Sequence, residues 1–194
     1  MSIHSTSRRR TGYTLVELLV VIGILGLSGA MLVPRLVDSS TFSVQAAARS
    51  IIADITFAQG DAWAMQQVRR FQFLQDSEGE IHGYAILAPD PQEDYDNVFS
   101  PDNAQYLQHS TTVGTGGRYI VDFREDQRFS GVTIESATFE GRQWVAFDAL
   151  GGPIGANWQP MTVGGEIRLR GDSGSYLIQV SGFTGKISLS SIDE

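Results

Sequence analysis

The chain has 194 residues, enough for one domain and a terminal appendage, and 42% of them are hydrophobic. It contains no cysteine, which excludes disulfides, thiol catalysis and cysteine-ligated metal sites. The formal net charge of -8 argues against a broad nucleic-acid-binding face. Arg8, Arg9 and Arg10 precede the first acidic residue, so a basic leader is followed by an acidic body. This asymmetry predicts a cytoplasmic start and an exported remainder.

The first predicted element is a hydrophobic helix over residues 13–33. It has no charge from Leu18 to Val33 and would be about 30 Å long, roughly the thickness of a bilayer core. The residues after it, Pro34-Arg35-Leu36, lack the small-residue cleavage site of an ordinary signal peptide. A cut after Gly12 would leave the helix on the mature protein. We therefore predict a leader, residues 1–12, followed by a single transmembrane and assembly helix.

Glu17 is an acidic residue at the start of this apolar run. If cleavage follows Gly12, Tyr13 becomes the N-terminus, and its ammonium lies about one helical turn from Glu17. A carboxylate in a bilayer costs about 2.5 kcal/mol or more on insertion scales, which favours a partner for it. That partner is the amine of the same chain or the amine of a neighbouring chain. The alternative is a signal anchor with one tolerated acid near the interface.

The stretch Gly12-Tyr13-Thr14-Leu15-Val16-Glu17-Leu18-Leu19 resembles the class III signal of type IV pilins and type II secretion pseudopilins. That family has a short basic leader, a glycine before the cut, an aromatic residue after it and Glu as the fifth mature residue. Tyr13 stands here in place of the usual Phe. The resemblance implies cleavage after Gly12 by a prepilin peptidase, N-methylation of Tyr13, and pairing of Glu17 with the N-terminus of a neighbouring subunit.

Pro34 ends the apolar run and predicts a kink or an interruption of the helix. Residues 34–67 are expected to continue as an amphipathic helix, because apolar residues recur at steps of three and four. They are Val44, Ala48, Ile51, Ile55, Ala58, Ala62 and Met65. This stripe requires an apolar partner, most naturally a β-sheet of the same chain.

Residues 68–194 are predicted to form a β-rich head. Short runs of β-branched and aromatic residues alternate with glycine-rich turns, which indicates an antiparallel sheet. The predicted strands are Val68 to Gln75, Ile81 to Leu87, Tyr119 to Phe123, Val132 to Phe139, Gln143 to Asp148, Glu166 to Arg170, Tyr176 to Gly182 and Lys186 to Leu189. An irregular, proline- and acid-rich loop, residues 89–117, interrupts them. The predicted fold class is α+β, a long N-terminal helix packed on an antiparallel β-rich head.

Two C-terminal stretches extend the resemblance. Phe147-Asp148-Ala149-Leu150-Gly151-Gly152-Pro153-Ile154-Gly155 and Gly182-Phe183-Thr184-Gly185-Lys186-Ile187 resemble the end of H-type minor pseudopilins and of the FimT-like group. The resemblance implies a structural subunit of the type II secretion pseudopilus that supports protein export across the outer membrane. It also implies an inner-membrane anchor and a periplasmic head. The implied partners are other pseudopilins or pilins, the prepilin peptidase, the inner-membrane assembly platform and membrane lipid. The alternative is a FimT-like or MSHA-type minor pilin of a type IV pilus.

One tetrapeptide has a catalytic counterpart. Gly171-Asp172-Ser173-Gly174 matches the sequence around the nucleophile of trypsin-like proteases. A catalytic serine needs a histidine base, and the three histidines, His4, His82 and His109, have no recognisable sequence context. The tetrapeptide also lies between two predicted strands, which favours a tight hairpin turn. We predict no enzymatic activity and no catalytic residue.

Acidic residues cluster at Asp90, Glu93, Asp94, Asp96 and Asp102, and clustered carboxylates can bind Ca²⁺. The stretch Asp94-Tyr95-Asp96-Asn97 lacks the glycine and terminal Glu of an EF-hand loop, so we predict a solvated acidic loop. No metal site, cofactor or nucleic-acid partner is expected. Arg69-Arg70 is predicted to be a pair at the surface.

Overall fold

The computed structural model describes residues 14–37, 39–89, 99–108, 116–156, 159–172 and 174–192. Side chains are described within these ranges except at residues 29–37 and 39–41. The predicted cleavage and methylation sites, Gly12 and Tyr13, lie outside the described residues. The chain divides into two compact units, the first up to Asp38 and the second from Ser39 onward.

Helix α1, Leu15–Val37, belongs to the first unit. Its sequence is rich in Leu, Val and Ile, which have moderate to high helix propensity and favour burial. The backbone is helical at Pro34 and up to Val37, and the kink expected at Pro34 stays a prediction. Within the described part of the chain, no helix is long and apolar enough to cross a membrane.

Helix α2, Ser39–Met65, is the first element of the second unit. The predicted apolar stripe is confirmed from Val44 to Ala62, and those six side chains are fully buried. Met65 differs from the prediction, because its side chain is 59% exposed at the last residue of the helix. The stripe packs against a β-sheet of the same unit, as the sequence predicts.

The sheet contains nine strands among the described residues, and every named pairing is antiparallel. They are β1 Arg69–Gln75, β2 Ile81–Leu87, β3 Ile120–Asp122, β4 Thr133–Phe139, β5 Trp144–Phe147, β6 Pro153–Ile154, β7 Gly165–Gly171, β8 Gly174–Val180 and β9 Ile187–Ile192. All eight predicted strands are confirmed. The sequence did not predict β6, since it has two residues and begins with proline, which cannot donate a ladder hydrogen bond. The fold is α+β, with an N-terminal helical part followed by an antiparallel sheet.

The strands follow the spatial order β6-β5-β1-β2-β4-β7-β8-β9, and β3 pairs with β2. Strands β2 and β4 are joined by one residue pair, Ile81 and Ile134, whereas β4, β7, β8 and β9 pair over most of their lengths. The sheet therefore has two well-paired halves, and α2 packs on both of them.

The main core lies between α2 and the inner face of the sheet. Its centre is aromatic: the rings of Phe71 and Tyr84 stack with centroids 4.7 Å apart, and Phe73 stacks on Phe139 at 6.2 Å. Such pairs contribute about 0.5–1.5 kcal/mol each beyond the burial of their area. Phe129, on the short 3-10 helix Gln127–Phe129, closes the core beside Phe123.

The outer face of the sheet carries smaller buried clusters. One contains Trp144, Ala146 and Ile154. The other contains Leu74, Ala85 and Leu87, and Phe99, Ala104 and Tyr106 of the predicted loop pack against it. Part of the loop predicted over residues 89–117 thus packs on the sheet, whereas residues 90–98 and 109–115 lie outside the described residues.

The prediction that Arg69 and Arg70 form a surface pair is wrong. Both are buried, with exposures of 4% and 8%, because they lie on opposite faces of the strand β1 and both faces are covered there. Arg69 Nε donates to Asp61 Oδ2 of α2 at 2.5 Å. Arg70 points to the outer face, where its guanidinium lies 4.4 Å from the centre of the Trp144 ring. Each arginine has a partner on another element, which sequence position alone did not reveal.

Candidate assembly site and surfaces of the head

Glu17 lies in the first turn of α1 and is exposed. Its backbone N–H donates to Thr14 Oγ1 at 3.3 Å, so Thr14 acts as the N-cap of the helix. A carboxylate in the first turn also interacts favourably with the helix dipole, by roughly 0.3–1 kcal/mol at a surface. The sequence Thr14-x-x-Glu17 matches the pattern of a capping box. Glu17 therefore has a local role as well as the predicted pairing with an N-terminal amine.

The surface of α1 is apolar on every side that the structure describes. Ten large hydrophobic side chains are between 49% and 78% exposed: Leu15, Val16, Leu18, Leu19, Val20, Val21, Ile22, Ile24, Leu25 and Leu27. A helix that is hydrophobic all round is normally buried in a protein assembly or in lipid. We therefore expect other molecules to cover the apolar surface of α1.

Asp54 joins α2 to the sheet. Its carboxylate accepts hydrogen bonds from the hydroxyls of Tyr84, at 2.6 Å, and Tyr119, at 2.9 Å. Ser50 Oγ lies 3.1 Å from the Tyr84 hydroxyl. Burial, and next the Asp54 charge, raise the pKa of Tyr84 and Tyr119, so both stay protonated as donors. The cluster therefore links the middle of α2 to β2 and to the residue that precedes β3.

The two C-terminal stretches that carry the resemblance, residues 147–155 and 182–187, both contact Gln59 of α2. Gln59 Nε2 donates to the carbonyl of Gly151 at 2.7 Å and to that of Thr184 at 3.4 Å. Gly151 and Gly185 have φ of +78° and +67°, and an added Cβ would lie 3.5 Å and 2.7 Å from atoms of Gln59. We call this arrangement the Gln59 junction. Gln59 lies outside the apolar stripe that the sequence predicts for this helix, and the sequence did not reveal this contact.

Exposed apolar side chains surround the Gln59 junction. Trp63, Leu150 and Phe183 are 65%, 81% and 87% exposed. A Cβ at Gly151 would lie 3.8 Å from the Cβ of Trp63, so the turn that carries Leu150 is adjacent to α2. Scattered exposed apolar residues are common, but three large ones around one junction form a candidate contact surface.

Glu140 organises a second pair of turns. It has a φ of +50°, unusual for a residue with a side chain, and forms a tight turn with Gly141 between Phe139 and Arg142. Its Oε1 accepts from the backbone N–H of Thr162 at 2.8 Å and of Val163 at 3.0 Å. These donors lower the pKa of Glu140. The contacts account for a glutamate where glycine or asparagine would be less strained.

Gly171 pairs with Gly174 where β7 ends and β8 begins, which agrees with the hairpin predicted between these two strands. Ser173 itself lies outside the described residues, as do His4 and His109. His82 is on β2, where its Nδ1 lies 3.0 Å from Asp122 Oδ2 of β3. The geometry therefore brings no described histidine to the hairpin as a base.

The acidic residues considered for calcium are mostly outside the described residues, which include only Asp102. Among the residues that are described, no group of three His, Asp or Glu side chains could hold a metal ion. The ionic pairs found on the head, such as Arg170 with Glu135 at 3.0 Å, are exposed and of small energetic weight.

Comparison with known proteins gives two findings. The family described as "Prokaryotic N-terminal methylation motif" matches residues 7–33. Among solved structures, the chain is similar to the type IV minor pilin FimU of Pseudomonas aeruginosa. The identity is 18% and the TM-score 0.46, and the match covers 76% of this chain and 87% of that chain. No curated protein matches the sequence. The matched residues include the stretch from Gly12 to Leu19 that resembles the class III signal.

Proposed function

We propose that the chain is a non-enzymatic minor subunit of a type IV pilin-like filament, of the pseudopilin kind that supports type II secretion. The observation that carries the proposal is α1, an exposed helix that is apolar on every described side except for Glu17 in its first turn. The methylation motif over residues 7–33 supports it independently. A helix of this kind is stable only when its surface is covered, and other subunits and lipid supply that cover.

The proposed sequence of events starts with insertion in the inner membrane, with the leader in the cytoplasm and the head in the periplasm. The prepilin peptidase cleaves after Gly12, and Tyr13 is then N-methylated. The new ammonium offers a partner to a carboxylate in a medium of low dielectric constant. Glu17 then pairs with the N-terminus of a neighbouring subunit as the apolar helices bundle on the inner-membrane assembly platform. Pro34 would supply a kink at the end of the apolar run.

The alternative is a minor pilin of a surface type IV pilus, which would use the same processing and the same helix. The similarity in the N-terminal segment fits both. The two differ in phenotype: loss of a pseudopilin abolishes export of secreted proteins, whereas loss of a minor pilin reduces surface fibres. Deletion of the gene, with secretion and piliation measured in parallel, distinguishes them.

The mature N-terminus tests the proposal directly. Mass spectrometry of the chain purified from cells with the peptidase should give a chain that starts at Tyr13 and carries one methyl group. Cells without the peptidase should give a chain that retains the leader. Gly12→Val should block cleavage, whereas the control Thr11→Ser should not. A chain that starts at Met1 in both strains, or one cut after Val33, contradicts the proposal.

A further inference from the structure

We propose that the outer face of the sheet carries a binding groove for a neutral saccharide. The groove has a volume of about 850 Å³ and is bordered by the turns at residues 140–141, 162–164 and 181–186. The lining side chains that matter most are Thr138, Glu166, Gln179, Ser188, Val163 and Phe183. We call it the Gln179 groove. The proposal goes beyond the filament function and does not depend on it.

The floor of the groove is one row of polar side chains across the sheet. Glu166 of β7 is paired in the ladder with Thr138 of β4 and with Gln179 of β8. Gln179 is paired in turn with Ser188 of β9. The next residue of β7, Ile167, is buried in the core on the side of α2, so the row lies on the outer face. Neighbouring strands are ~4.8 Å apart, and the row is therefore about 14 Å long.

The polar groups of this row are available to a ligand. Within the described part of the chain, the side chains of Thr138, Gln179 and Ser188 make no hydrogen bond, and all three are exposed. The Glu166 carboxylate lies 3.7 Å from Arg168 Nη2, which is longer than a hydrogen bond. The row thus offers two hydroxyls, an amide and a carboxylate, a set that both donates to and accepts from the hydroxyl groups of a ligand.

Two apolar side chains border the polar floor. Phe183 and Val163 line the groove and are 87% and 70% exposed. The turns that carry them are in contact, because a Cβ at Gly164 would lie 3.0 Å from the backbone nitrogen of Gly182. The face of an aromatic ring carries partial negative charge and attracts polarised C–H groups. A saccharide ring presents C–H groups on its faces and hydroxyl groups along its edge, so it matches the apolar border and the polar floor together.

The charges at the groove favour an uncharged ligand over a nucleic acid or an acidic peptide. The charged residues that line it are Glu140, Glu166 and Lys186. The Glu140 carboxylate already accepts the backbone N–H groups of Thr162 and Val163. The other two have opposite signs, and the whole chain has a net charge of -8, so the groove has no excess of positive charge for a polyanion.

The pairing of the strands also disfavours an extended peptide. A peptide that adds to a sheet needs unpaired backbone groups at an edge. Strands β7 and β8, which form the middle of the floor, are each paired on both sides. Recognition at the floor therefore depends on side chains, as the binding of a polyhydroxylated ligand requires.

The test uses the full chain in dodecylphosphocholine micelles, because a detergent with a sugar head group would compete for the groove. The probes are neutral tetrasaccharides of glucose, mannose, galactose and N-acetylglucosamine. Binding is detected by saturation-transfer NMR and its affinity is measured by titration calorimetry. We expect at least one tetrasaccharide to bind saturably, with an affinity that added salt leaves unchanged, since no ion pair is formed.

Matched variants locate the binding site. Gln179→Ala and Phe183→Ala should each weaken binding by at least about fivefold, because they remove the amide hydrogen bonds and the ring under the sugar. Gln127→Ala and Leu150→Ala are the controls. Both residues are exposed and neither lines the groove, so the affinity should be unchanged. Thermal melting checks the fold of every variant.

Three outcomes would overturn the proposal. The first is the absence of binding by all of the tetrasaccharides. The second is binding that Gln179→Ala and Gln127→Ala weaken equally. The third is a heparin-derived tetrasaccharide that binds more tightly than the neutral probes and loses affinity with added salt and in Lys186→Gln, which would assign the groove to an acidic ligand.

Discussion

Gly185→Ala is expected to destabilise the head more than the same change at an uncrowded turn. Gly185 has a φ of +67°, and a Cβ there would lie 2.7 Å from Gln59 Nε2. That nitrogen donates to the carbonyls of Gly151 and Thr184. The substitution therefore combines backbone strain with displacement of the side chain that joins two C-terminal turns to α2.

The magnitude follows from these two effects. A left-handed backbone costs an L-residue roughly 1–2 kcal/mol. Loss of the hydrogen bonds of Gln59 adds about 1–2 kcal/mol, which gives about 2–4 kcal/mol in total for Gly185→Ala. Gly141 is the matched control, because its φ is +82° and no atom lies within 4 Å of an added Cβ. Gly141→Ala should therefore cost only the strain, about 1–2 kcal/mol.

The measurement is the free energy of unfolding of the full chain in micelles, from urea titration followed by tryptophan fluorescence. A double variant, Gly185→Ala with Gln59→Ala, removes the crowding. Its destabilisation should be smaller than the sum of the two single effects by about 1 kcal/mol. Equal costs for Gly185→Ala and Gly141→Ala, or additive effects of Gly185→Ala and Gln59→Ala, would refute the Gln59 junction as a source of stability.

Three further predictions concern polar groups. Asp54→Ala should lower the free energy of unfolding by about 2–4 kcal/mol, because the buried hydroxyl of Tyr84 loses its carboxylate acceptor, and a double-mutant cycle with Tyr84→Phe should recover part of this loss. The pKa of Glu140 is lower in the folded head than the value near 4.5 expected in the unfolded chain. The ionised carboxylate therefore stabilises the folded head at pH values above 4.5, and this contribution is lost as the pH falls through the folded-state pKa. Glu140→Gln should therefore flatten the stability of the head in that acidic range, as measured by thermal melting at several pH values. Glu17→Gln should reduce incorporation into filaments, as measured by crosslinking, far more than Thr14→Ala does. Thr14→Ala is the control, because it removes only the cap of the helix. Equal effects of the two substitutions would mean that Glu17 acts only at the helix cap.

The regular part of the head was predictable because its signal is periodic. The steps of three and four in α2 and the runs of β-branched and aromatic residues report which side of each element faces the core. Met65 deviates because it lies at the end of the helix, where the sheet no longer covers the stripe. Strand β6 was not predictable, because a strand of two residues is too short to show an alternation of apolar and polar side chains.

The polar contacts were not predictable, since their partners lie far away in the chain. Asp54 and Gln59 are on faces of α2 that the pattern marks as polar, yet their acceptors and donors come from β2 and from turns more than 90 residues later. Arg70 is preceded by another arginine, which is typical of a surface, but the sheet places it against Trp144. Such contacts depend on strand order, which a single sequence leaves undetermined.

The energetics of α1 explain how an acidic residue persists at the start of an apolar helix. In the part of α1 whose side chains the structure describes, ten large apolar side chains are about half to three-quarters exposed, and full burial of such a side chain contributes roughly 1.5–3 kcal/mol. Covering them therefore yields on the order of 10–20 kcal/mol, whereas a carboxylate costs about 2.5 kcal/mol on insertion scales. The apolar surface alone would therefore be enough to drive the proposed burial of the helix in lipid or in a bundle, and removal of Glu17 would make that step easier. Glu17 can instead define the position of the helix relative to its neighbour. The cost of burying its carboxylate is removed only where a cation lies at the same depth. Loss of Glu17 should therefore leave membrane association intact while filament assembly fails, and a variant that fails in both would contradict this division of roles.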